Sequence, residues 1–351
     1  MSFNVRVLPS GRSFAAGTDE PLLAAAIRQG IGLPYGCKDG ACGSCKCRML
    51  EGLVVHGTHQ LKALTAQEQA DGFILTCCGV AHSDVVIESR QVTDESAFPV
   101  RKMPVRVASL QRLSTDVMVI RLQLPASDTL KYHAGQYVEF LLASGERRSY
   151  SMANAPHTQA DKPGIELHVR HMPGGKFTDH VFGAMKERDI LRIEGPYGSF
   201  FLREDSAKPL ILLASGTGFA PLKALIEHMQ HKGITRPAAL YWGGRRPADL
   251  YMHDWMLAKA AEMPHLRYIP VVSDALPEDG WSGRTGFVHQ AVLQDFPDLS
   301  GHQVYACGAP IVVESARDEY SATAGLPPEE FFADSFTSEA DKASAAVADP
   351  L

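Results

Sequence analysis

A chain of 351 residues, 45% hydrophobic and 21% charged, has an ordinary globular composition and length enough for two or three domains. A net charge of −6 argues against a nucleic-acid binder, and the strongest apolar run, Leu210 to Ala214, is strand-sized and too short to span a membrane. Met1 to Val7 alternates polar and apolar residues without a leader segment, and seven mostly clustered cysteines fit a reducing compartment, so a cytoplasmic protein is expected.

In chain order, Phe3 to Leu8 and the residues around Phe14 read as two strands joined at Ser10-Gly11. Asp19 is placed to cap a helix over 21–29, in which Leu22, Leu23, Ala26 and Ile27 form one apolar face and Gly30 marks the end. Then comes Tyr35-Gly36-Cys37-Lys38-Asp39-Gly40-Ala41-Cys42-Gly43-Ser44-Cys45. Its C-x4-C-x2-C spacing, with Cys77 and Cys78 downstream, matches the ligand spacing of a plant-type [2Fe–2S] cluster. Gly36, Gly40 and Gly43 permit a tight fold, and Ala41 and Ser44 are small enough for amide N–H groups to reach sulfur. Structural zinc usually shows two C-x2-C knuckles, and only Cys42/Cys45 is such a pair. Short strands follow near 48–50, 53–55 and 84–88.

This loop resembles the ligand loop of the plant-type ferredoxins. The resemblance implies a β-grasp [2Fe–2S] ferredoxin domain over 1–92 with Cys37, Cys42, Cys45 and Cys77 as metal ligands. Cys77 is preferred to Cys78 because Leu75-Thr76-Cys77 looks like the family's leucine-x-cysteine ending. Cys47, Cys78 and Cys307 are then not ligands.

Residues 93–102 are polar and proline-broken, as a linker is. Closely spaced strands over 105–109, 117–124, 136–142, 165–170 and 190–194 predict an antiparallel β-barrel across 103–205. Within it Arg148-Ser149-Tyr150-Ser151 resembles the arginine-x-tyrosine-serine signature of the ferredoxin–NADP reductase superfamily. Tyr150 can lay an aromatic face on a flavin, Ser151 can donate near N5, and Arg148 can meet the pyrophosphate. His168-Val169-Arg170 followed by Gly174-Gly175-Lys176-Phe177-Thr178 reads as a strand, a glycine turn and a helix start, a ready phosphate site. Gly195-Pro196-Tyr197-Gly198 looks like a turn of the same family, and the resemblance implies FAD over FMN.

From Lys208 strands and helices alternate: 209–214, helix 219–231, 238–242, helix 248–260, 266–272. A parallel-sheet nucleotide-binding α/β domain over 206–338 follows. Its first strand runs into Gly216-Thr217-Gly218-Phe219-Ala220-Pro221, a glycine loop opening a helix. Pro221 stands where a plain dinucleotide fingerprint has its third glycine, as in the reductase superfamily. Gly244-Arg245-Arg246 and Asp249-Leu250-Tyr251 offer both an acidic residue, which favours NADH, and arginines, which favour NADPH. Similarity to oxygenase reductases leans towards NADH. The superfamily also implies that Cys307-Gly308 borders the nicotinamide and that Asp334 and Phe336 reach the flavin, giving catalytic roles to Ser151, Cys307, Asp334 and Phe336. Phe331 and Phe332 read as core, and 339–351 as a disordered tail.

Over nearly its whole length the chain resembles NADH-dependent flavin/iron–sulfur reductases that feed oxygenases, in the group of the CDP-6-deoxy-glucoseen and phenol hydroxylase reductases. The expectation is a multidomain α+β and α/β electron-transfer protein carrying electrons from NAD(P)H through FAD and the cluster to an acceptor protein. That acceptor is an oxygenase component or, alternatively, a deoxysugar dehydratase that uses pyridoxamine. A monomer is assumed by default.

Overall fold

The computed structural model describes residues 1–94, 98–126, 130–161, 163–337 and 346–347. Contacts divide the chain into two compact units, Met1–Pro99 with Asp334–Leu351, and Val100–Ala333. The cut between Pro99 and Val100 falls inside the expected linker.

In the first unit the five-stranded sheet runs Ser13–Gly17, Ser2–Pro9, Val85–Ser89, Lys46–Glu51, Phe73–Leu75, with Ser2–Pro9 and Val85–Ser89 parallel. Helix α1 (Leu22–Arg28) buries Leu22, Leu23, Ala25 and Ala26. Asp19 does not cap it. Pro21 is the entry residue, its ring fixing φ at −57°, and no side chain bonds the first turn. Helix α2 (Ala66–Ala70) was not anticipated; Thr65 and Glu68 close a reciprocal capping box at its start.

In the second unit six antiparallel strands follow the order Arg147–Ser151, Tyr137–Leu141, Ile190–Tyr197, Arg101–Arg112, Val117–Gln123, Ile165–Arg170. A bridge between Met152 and Leu167 joins the two ends, so the sheet closes on itself around Val105, Ile120, Phe140, Leu167 and Ile193. Helix α3 (Lys176–Gly183) packs Phe177 and Val181 into that core.

The second sheet of this unit runs Arg284–Thr285, Leu266–Val272, Ala238–Gly244, Leu210–Ser215, Gln303–Gly308 and then Phe331–Ser335, whose last two residues group with the first unit; the first five strands are parallel. Helices α4 (Phe219–Lys232), α5 (His253–Glu262), α6 (Val288–Asp295) and α7 (Pro310–Ala324) make its crossovers. The helix expected over 248–260 starts only at His253. The Asp249 carboxylate takes the N–H groups of Arg245 and Arg246, and Pro247–Asp249 closes as a separate short turn. No helix among the described residues is long and apolar enough to cross a membrane. Most of 339–351 lies outside the described residues; Ala346–Val347 pair with His59–Gln60.

Candidate functional site

The cysteine loop turns through three left-handed residues, Lys38 (φ 65°), Gly40 (φ 77°) and Gly43 (φ 71°). A side chain at Gly40 would meet His59 Cβ at 2.8 Å, so the loop lies hard against the 59–60 segment. This brings the thiols together in two pairs, Cys37 with Cys42 and Cys45 with Cys77, each linked by a hydrogen bond. The N–H groups of Cys37 and Ser44 point at Cys42 Sγ, at 3.4 and 3.5 Å. The Cys37 thiol, opposed by burial and helped by these N–H groups, brings Cys42 down to about 5. Cys45 is held up by its bond to Cys77 and by burial.

Two thiol pairs are the donor set two irons need, two thiolates each. The donors therefore fit a binuclear cluster. Cys78 also bonds Cys77, while Cys307 lies in the second unit. Asp334 and Phe336 group with the first unit, where a Gly36 side chain would meet Cys42 Sγ at 3.4 Å and Asp334 Oδ1 at 3.5 Å.

In the second unit, Tyr150 lies half-buried with its ring 5.8 Å from Phe140 and 5.3 Å from Phe177. Phe177 is therefore core that backs Tyr150. Ser149 is exposed and Ser151 buried, on the sheet face opposite Arg148 and Tyr150, as strand alternation requires. Two expected cations converge on one carboxylate: Lys176 Nζ lies 2.9 Å and Arg148 Nη2 3.4 Å from Glu146. Cations that share a carboxylate can share a phosphate. Gly174 (φ 83°) and Gly175 form the turn before α3, and Gly175 holds its N-cap.

Four residues in and before that turn make contacts that the sequence did not indicate. The Thr178 hydroxyl donates to Met172 O at 2.8 Å and bonds Met172 N, which ties up its polar atom inside the loop. His168 and Val169 are enclosed; His168 uses Nε2 on Glu166 and Nδ1 on the Tyr251 hydroxyl, at 2.9 and 2.8 Å. Only their backbone remains to offer a ligand. Arg170, expected at the flavin, stands over the glycine loop of the other sheet. It bonds Asp116 at 2.8 Å, approaches Asp249 at 3.7 Å, and its Nη1 would lie 2.8 Å from a side chain on Gly216.

That loop, Gly216–Gly218, leads straight into α4, with Pro221 buried in its first turn. A Cβ on Gly218 would stand 2.1 Å from Cys307 O, and one on Gly308 2.3 Å from Ser215 O. Backbone thus touches backbone, which brings Thr217 and Cys307-Gly308 to one place. Trp242 Nε1 bonds Gly216 O at 3.0 Å while its ring stacks on Phe219 at 3.9 Å, holding the turn from below. Gly244 packs on Asp249, Arg245 is exposed, and Arg246 is paired with Asp279. The sequence reading missed Asp116, Glu166, Lys223 and Asp279. For Lys223 a signal existed, a lone charge inside an apolar run.

Comparison with known proteins identifies three domains along the chain. Residues 5–82 match the 2Fe-2S iron-sulfur cluster binding domain, 104–202 the oxidoreductase FAD-binding domain and 212–318 the oxidoreductase NAD-binding domain. The chain is 40% identical to a CDP-6-deoxy-L-threo-D-glycero-4-hexulose-3-dehydrase reductase of Yersinia pestis, covering 96% of this chain and 99% of the other. It is 36% identical to reductase component 2 of a terephthalate 1,2-dioxygenase from Comamonas, with 96% and 98% covered. Among solved structures, the Amycolatopsis cytochrome P450 reductase GcoB superposes with a TM-score of 0.76 at 32% identity, over 96% of this chain and 99% of that one. Electrons thus pass from NAD(P)H to FAD and on through a [2Fe–2S] cluster. The chain belongs to the flavin/iron–sulfur reductases of the ferredoxin–NADP reductase superfamily.

Proposed function

We propose that Cys37, Cys42, Cys45 and Cys77 hold the cluster, that Arg148 and Lys176 hold the FAD pyrophosphate, and that Tyr150 meets the flavin ring. Gly216–Gly218, with Arg170 above it, takes the dinucleotide pyrophosphate, and Cys307-Gly308 borders the nicotinamide. FAD supplies the conversion of a hydride's electron pair into single electrons. The observation that carries the reading is the convergence of the four thiols, Cys37 on Cys42 and Cys45 on Cys77.

NADH is the favoured donor. Arg246 is neutralised by Asp279, which leaves no second arginine beside Arg245 for a 2′-phosphate. The terminal acceptor is a separate protein, an oxygenase component or a deoxysugar dehydratase, since relatives serving both kinds match end to end. Seven free cysteines support a reducing, cytoplasmic setting.

The test is a chain beginning at Phe98. It should bind FAD and let NADH reduce ferricyanide, which can take electrons from the flavin. It should fail with cytochrome c, because the cluster is the exit to proteins. Full cytochrome c activity without the cluster would overturn the linear route.

A further inference from the structure

Lys223 sits early in α4, inside the apolar stretch Leu222-Lys223-Ala224-Leu225-Ile226, and only 4% of it is exposed. A buried ammonium is costly unless it is paired. Its Nζ donates to Glu227 Oε1 at 2.6 Å and to the Ala153 carbonyl at 3.1 Å, and lies 3.3 Å from Glu166 Oε1. Glu166 also pairs with Arg121 and with His168, and Glu227 accepts the Ala155 N–H at 2.9 Å. Two cations thus balance two carboxylates, and His168 extends the chain to Tyr251.

The elements that carry these groups are the ones that carry the two ligand sites. Ala153 and Ala155 follow directly on Arg147–Ser151, Glu166 and His168 lie on Ile165–Arg170, and Lys223 and Glu227 ride the helix that opens at Gly216–Gly218. Buried ion pairs are frequently replaceable by apolar residues without loss of stability, so stability alone does not account for a lysine here. Resting on the site reading above, we propose that Lys223 is a positioning residue for hydride transfer. Through the Ala153 carbonyl and its two carboxylates it fixes the flavin strand against the glycine loop, and so the approach of the nicotinamide to the flavin. Misplacement by about 1 Å can cost on the order of a hundredfold in rate, which makes such a brace consequential.

The experiment compares full-length holoprotein carrying Lys223→Met, the charge-balanced pair Lys223→Met with Glu227→Gln, and Lys223→Arg. FAD content and the KM for NADH should stay within about twofold, while stopped-flow flavin reduction falls about tenfold or more. The long-wavelength absorbance formed on mixing with NADH and the visible circular dichroism of the flavin should change with it. Lys223→Arg should restore most of each. Wild-type rate and spectra in the methionine variants would overturn the proposal. So would lost FAD, a raised KM at unchanged rate, or failure of both variants to fold, because the lysine would then serve binding or packing. An error in the underlying site reading shows separately, as normal FAD retention by Arg148→Ala.

Discussion

Arg246 and Asp279 form a two-point ion pair, Nε to Oδ2 at 2.9 Å and Nη2 to Oδ1 at 2.8 Å. The guanidinium holds the Asp279 carboxyl below its usual range. An arginine so engaged is a poor partner for a second anion. Asp279→Ala should therefore release it towards the 2′-phosphate of NADPH and lower the KM for NADPH by roughly tenfold, with little change for NADH. Steady-state kinetics with both coenzymes checks this, and an unchanged ratio would remove Arg246 from coenzyme selection.

The cluster ligands can be separated by spectrum. Cys77→Ser should abolish or shift the visible cluster bands, since it breaks the Cys45–Cys77 pair. Cys78→Ser should leave both bands and iron content intact. Loss of iron in Cys78→Ser alone would transfer the fourth position to Cys78.

Arg148 and Glu146 give a signed pair of changes. Arg148→Ala removes a charge-assisted bond and should weaken FAD retention by about 1.5–3 kcal/mol, read as flavin left after dialysis. Glu146→Gln removes the carboxylate that now competes for Arg148 and Lys176, so it should tighten retention. Movement of both variants in one direction would contradict a shared phosphate site.

His133 predicts a stability limb. Burial, then the nearby Arg203 charge, lowers it from 6.5 to about 4, and its ring stacks on Phe201 at 4.4 Å. The folded state binds the proton less well than the unfolded one. Its contribution is complete above pH 6.5 and is lost as pH falls towards and through about 4, in total about 3 kcal/mol. Between these values the wild-type melting temperature should fall more steeply than that of His133→Gln. Parallel curves would mean that His133 titrates normally.

Much of this was legible because the signals were local. Cysteine spacing with glycines at the turning points located the loop, and period-two strands followed by strand–helix alternation separated the two sheets of the second unit. What neighbourhood in sequence does not give is the partner across the fold. Arg170 follows the flavin strand yet stands at the other loop, because strand Ile165–Arg170 closes the barrel beside Gly216. His168 and Glu166 lie on a strand buried on both faces, where Glu166 meets Lys223 of α4 and His168 meets Tyr251. Only contact across the fold shows that. Asp19 lost its capping role to Pro21 through a single ring's fixed dihedral.

The meeting of Gly218 with Cys307 O and of Gly308 with Ser215 O carries a genetic consequence. Every missense change in either codon adds at least one carbon, and the space for that carbon is already filled by a carbonyl oxygen 2.1 or 2.3 Å away. Neither backbone can retreat alone, because Gly308 ends one central strand of the parallel sheet and Gly218 lies in the turn that leads from its neighbour, Leu210–Ser215, into α4. These two positions should therefore be silent in any library selected for NADH oxidation, recovered only as synonymous codons, whereas the open turn at Gly286 should accept variation in space if not in φ.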